Sequence, residues 1–102
     1  MNIPKKIKVL HLEYEVVEDR NIHEGSTELL GQVQYIQQRI LLNEEASHPR
    51  KRETLIHEVI HTLDDVYNIG LEEKQVEQLG VALYNFLEDN KGCLFDNNKS
   101  QR

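Results

Sequence analysis

The chain has 102 residues, with 12 Lys and Arg against 18 Asp and Glu, and a formal net charge of -6 with its 5 histidines neutral. That length fits one domain and leaves no room for a second, while the acidic balance argues against nucleic acid as a partner, which needs clustered Lys and Arg; the short run Arg50-Lys51-Arg52 reads as a solvated helix start. The single cysteine, Cys93, excludes an intramolecular disulfide and a thiolate zinc ribbon, and no signal-type or bilayer-spanning apolar run is present, so a cytoplasmic protein without membrane contact is expected.

From Ile7 to Val17 the sequence alternates, with Leu10, Leu12, Tyr14 and Val16 on one side, the pattern of a half-buried strand. Asp19 to Ser26 breaks it. Leu29–Tyr35 and Ile36–Leu42 read as a second and third strand, rich in β-branched and apolar residues. Ser47-His48-Pro49 then signals a helix start, and helical periodicity runs from about Arg50 to Tyr67, ending near Asn68 and Gly70. A second helix follows over Glu72–Glu88, with a core stripe of Val76, Leu79, Leu83 and Leu87 and acidic residues in its first turn, where the macrodipole favours them. Residues 91–102 have no sustained period and read as a flexible C-terminal tail after a single domain over 1–90. The expected fold class is α+β: a small antiparallel sheet of about three strands packed on an antiparallel pair of helices.

Within the first helix lies His57-Glu58-Val59-Ile60-His61, an HExxH run. Two imidazoles four residues apart share one helix face, about 40° out of line, where both reach a single divalent ion. Glu58 sits about 100° round from His57, placed to take a proton from a water near that ion. Leu55, Ile56, Val59, Ile60, Leu63 and Val66 form an apolar stripe on the opposite side, leaving the histidine face free.

A catalytic zinc takes three protein ligands, so another is needed. His11, His23 and His48 read as solvated or packed residues rather than ligands. The short turn Asn68–Leu71 folds the helices back on each other, and counting outward from it sets His61 level with Glu77. Glu73 falls about four residues nearer the turn, on the order of 6 Å along the axis. Glu77 is therefore the expected third ligand, with Glu73 the alternative. Asp64 shares the histidine face and is placed to orient His61, Tyr84 is placed to donate to a developing oxyanion, and Gly80 permits close helix approach.

HEVIH followed by a glutamate-bearing helix resembles the zincin metallopeptidases of the gluzincin type. The compact size, the three-strand lead-in and the run from Thr54-Leu55-Ile56-His57-Glu58 to Leu83-Tyr84 look like the small phage- and prophage-associated proteins related to the ImmA/IrrE group, over residues 7 to 90. The resemblance implies a minimal zincin-like fold, His57 and His61 as zinc ligands and Glu58 as general base. It also favours Glu73 as third ligand, because the ligand glutamate of larger gluzincins is often followed four residues later by an acidic or amide residue, as Glu73 is by Glu77. The height argument favours Glu77, and both stay open.

The expected function is zinc-dependent hydrolysis of a peptide bond in a peptide or protein substrate, with a regulatory protein such as a repressor implied by the resemblance alone. Two alternatives are a non-catalytic regulatory or interaction module stabilised by zinc, and a metal-free helical adaptor.

Overall fold

A computed structural model describes residues 2–94. Its first reversal comes where the sequence gives no warning. The alternation from Ile7 to Val17 is divided between β1 (Lys6–Val9) and β2 (Leu12–Asp19), an antiparallel hairpin in which Val9 faces Leu12 across a two-residue loop. Leu10 enters that loop with φ 61°. Glycine, asparagine and aspartate favour this left-handed region, and neither Leu10 nor His11 is one of them, so the expected single strand is corrected to two.

The break that follows contains a miniature hairpin, β3 (His23–Glu24) paired with β4 (Thr27–Glu28). Next come β5 (Gly31–Gln34) and β6 (Arg39–Asn43), antiparallel and joined by a turn in which the Gln38 N–H donates to the Tyr35 carbonyl at 3.3 Å. The four longer strands make one sheet in the order β1-β2-β6-β5. The α+β class is as expected, but the sheet is mixed: β2 and β6 run parallel, with Val17 opposite Leu41. A parallel neighbour needs a crossover, and the β3–β4 hairpin together with β5 provides it between β2 and β6.

The face holding Tyr14, Ile40 and Leu42 packs with Val9 and Leu55 into the core, and Val16, Val33, Val59, Leu63 and Val66 close around it. Leu55, Val59, Leu63 and Val66 come from α1 (His48–Tyr67), so the apolar stripe expected on the HExxH helix is the surface that seats it on the sheet. Ser47 caps the helix, its Oγ accepting from the Arg50 N–H at 3.3 Å, and Asn68 ends it in the left-handed conformation with φ 54°.

The second helix, α2 (Glu73–Asp89), opens with a capping box in which the Gln75 side chain accepts from the Glu72 N–H at 2.9 Å. It packs on α1 and makes no substantial contact with the sheet. The expected core stripe is accordingly corrected: Val76 and Gly80 are buried against α1, whereas Leu79 and Leu83 are 47% and 37% exposed. Hydrophobicity pointed to the leucines, but only a narrow seam of α2 meets a partner. Among the described residues no helix is long and apolar enough to cross a membrane. Of the expected tail, residues 95–102 lie outside the described residues.

Candidate metal centre

His57 and His61 project from one side of α1 with ring centroids 5.0 Å apart in an edge-on arrangement. The Glu73 carboxylate, from the first turn of α2, meets both rings: Oε2 lies 3.4 Å from His57 Nε2 and Oε1 lies 3.2 Å from His61 Nε2. One ligand atom from each of the three residues falls within 4.8 Å of the others. Two imidazoles and a carboxylate are a donor set suited to zinc with one position left for water or substrate, so the residues present fit such an ion. His11, His23 and His48 are exposed and lie outside this group.

Of the two glutamates left open, the structure brings Glu73 and not the preferred Glu77 to the histidines. At 100° per residue, Glu73 lies about 20° from Gly80 around the helix, while Glu77 lies about 60° from it on the same side. Gly80 marks the seam with α1, since a Cβ built there would sit 3.7 Å from His57 Cα. Glu73 therefore faces the histidines and Glu77 turns toward the flank, where it lines the surrounding cleft. Rotation about the axis outweighed height along it, because a glutamate side chain spans much of the axial offset.

Asp64 does not hold His61. Its Oδ1 accepts from the Gly70 N–H at 2.7 Å and the Leu71 N–H at 3.0 Å, and its backbone carbonyl accepts from the Ile69 N–H at 3.1 Å. It fixes the turn that delivers Glu73, a positioning role one step removed from the expected one. Tyr84 is likewise corrected. Its hydroxyl accepts from Arg52 Nη2 at 3.3 Å near the start of α1, and it does not line the cleft.

Glu58 is 8% exposed and its side chain has no hydrogen-bond partner among the described residues. Burial, and next the negative charge of Glu73, push its carboxyl up from 4.5 to about 7. The crowding has a visible source in Gly31 of β5. A Cβ there would come 2.5 Å from the Thr54 methyl and 3.3 Å from Glu58 Cγ, so only glycine lets the strand lie this close to the motif. Tyr35, at the end of the same strand, lines the cleft and donates from its hydroxyl to the His61 carbonyl across a long 3.5 Å. Burial, together with the nearby Asp65 and Glu58 carboxylates, raises its pKa and keeps the phenol protonated as a donor.

These groups share an open cleft of about 990 Å³, walled by β5, the β3–β4 hairpin, α1 and α2. Strand β5 is a sheet edge. Because the Asn43 N–H donates to the Leu30 carbonyl at 2.8 Å, the alternation of an antiparallel ladder turns the backbone groups of Gly31 and Val33 away from β6, toward the open side. No family model matches the chain, and no curated protein or solved structure matches it.

Sequence reasoning missed Tyr35, Gly31 and the turn-fixing role of Asp64. Asp64 had a local signal, an acid four residues before the helix cap with a glycine just beyond. Tyr35 and Gly31 had none, since their roles arise only when β5 is laid beside α1.

Proposed function

We propose that this protein is a zinc-dependent peptide-bond hydrolase of zincin type, in which His57, His61 and Glu73 hold the metal and Glu58 is the general base. One observation carries the reading: the three donor groups converge beside a buried, unpartnered glutamate at the floor of a cleft bordered by a free strand edge. Zinc, when bound, supplies Lewis acidity that polarises a carbonyl oxygen and lowers the pKa of water. Glu58 takes a proton from the attacking water and delivers it to the amine nitrogen as the C–N bond breaks. The outward backbone groups of Gly31 and Val33 hold an extended substrate as an added strand. Tyr35 gives up its long bond to the His61 carbonyl and donates its one proton to the substrate carbonyl oxygen as that oxygen gains charge, in the role expected of Tyr84 from the sequence. The resemblance of HEVIH and its following helix to the phage-associated ImmA/IrrE-related group supports a regulatory protein as substrate, and the single cysteine supports a cytosolic setting. The test is Glu58→Gln: zinc stays bound and cleavage of a casein or peptide substrate disappears, whereas retained cleavage removes Glu58 from its role.

A second reading has its own support. Because α2 packs on α1 and not on the sheet, a zinc ion bridging Glu73 to the histidines would also act as a clasp for that helix, as in a non-catalytic interaction module. That reading requires zinc-dependent stability with no Glu58-dependent turnover.

A further inference from the structure

The cleft is charged unevenly. Apart from Glu58 and Glu73, its walls carry Glu24 and Glu28 of the β3–β4 hairpin, Glu53 of α1 and Glu77 of α2, against one guanidinium, Arg50. Arg50 lies 3.9 Å from Glu53, and Glu28 accepts from Asn43 Nδ2 at 3.2 Å. Glu24 and Glu77 have no ion-pair or side-chain hydrogen-bond partner among the described residues, and both are exposed to whatever enters. Leu29, Leu30 and Val81 supply apolar surface between these carboxylates. At the floor of the same space Glu58, more than nine-tenths buried, opens into the cleft without a protein partner.

We infer that the cleft selects peptide segments bearing lysine or arginine, with Glu24 and Glu77 as the specificity-determining residues. The inference rests on the peptide-binding reading above and names its substrate class. A divalent metal held by Glu73 would be close to balanced in charge with Glu58 beside it and would keep one positive charge with glutamine there, and in either case the four outer carboxylates outweigh it and Arg50 in the field that a substrate meets. Lysine and arginine match that surface in both parts, since an aliphatic stem lies along the leucines and valine while the charged tip reaches the rim. Low-dielectric walls on either side of a cleft strengthen the attraction relative to open water, and salt weakens it. An acidic segment would meet four carboxylates and a single cation.

The experiment measures binding of zinc-loaded Glu58→Gln protein to three fluorescent decapeptides by anisotropy. They share an alanine-glycine backbone and differ in carrying two lysines, two serines or two glutamates in the same half. The lysine peptide is expected to bind about tenfold tighter than the serine peptide, and the glutamate peptide weaker than either, with the spread shrinking in 0.5 M salt. Reversing charge with Glu24→Lys and Glu77→Lys together inverts the order, while Glu13→Lys and Glu15→Lys on the far strand β2 leave it intact. Equal affinities, an order unmoved by the cleft reversal, or an equal shift from the β2 reversal would each overturn the inference. Because binding is the readout, the two ideas fail separately. Native protein that binds the lysine peptide tightly without cleaving it overturns the hydrolase alone. Native protein that cleaves all three peptides equally well overturns the preference alone.

Discussion

Replacing Glu58 with glutamine should make the metal-free protein more stable at neutral and alkaline pH. Burial beside Glu73 raises the Glu58 carboxyl from 4.5 to about 7, so between those values the folded chain binds a proton that the unfolded chain has released. The protonated carboxyl thus contributes stability that is fully present below 4.5 and is lost as pH rises through about 7. At 1.36 kcal/mol per pKa unit, the swing across that window is about 3 kcal/mol. Glutamine keeps the shape without the charge and adds a roughly pH-independent cost of about 1 kcal/mol for its buried amide. In urea titrations of EDTA-stripped protein, Glu58→Gln is therefore expected to be equal to or slightly less stable than the native chain at pH 4. At pH 8 it is expected to be more stable by about 2 kcal/mol, equivalent to about 10 °C in Tm for a domain of this size. A difference that changes by less than about 1 kcal/mol between pH 4 and pH 8 would refute the argument that Glu58 is held in a desolvated, anion-facing position.

Exchanging single residues separates the other roles. Glu73→Gln should weaken zinc binding by at least about a hundredfold in a competitive chelator titration, since it removes a direct ligand, while Glu77→Gln should change it less than about threefold. The reverse ranking would restore the height argument. Asp64→Ala removes the acceptor for two turn N–H groups and should cost about 1–3 kcal/mol in denaturant unfolding while also weakening zinc binding; a loss confined to zinc affinity would return Asp64 to the His61 side of the site. Tyr35→Phe should lower kcat about a hundredfold with KM little changed, and Tyr84→Phe should leave both near native values.

The helices and the pair of histidines that α1 brings together were legible because the information is local. His57 and His61 need only the 3.6-residue turn to meet, and Ser47-His48-Pro49 with Asn68 marks both ends of the helix that carries them. The sheet was read less well. Leu10 turns the chain at positive φ without a glycine or asparagine to announce it, and the parallel β2–β6 pair depends on a crossover that no strand's own sequence records. The third candidate ligand was half legible. Spacing along the two helices narrowed it to Glu73 or Glu77, but the choice turned on which side of α2 meets α1, and small Gly80, not the leucines Leu79 and Leu83, forms that seam. Tyr35 shows the limit most plainly. It stands at a strand end with nothing in its neighbours to mark it, and its place in the cleft is set by residues more than twenty positions away.

The most direct measurement is zinc-edge X-ray absorption on the purified protein together with a metal count. One zinc per chain is predicted, with two imidazole nitrogens and carboxylate or water oxygens at about 2.0–2.2 Å and no sulfur. Loss of the imidazole signal in His57→Ala/His61→Ala would complete the assignment. Failure to retain stoichiometric zinc, or a shell containing the Cys93 thiolate, would contradict it.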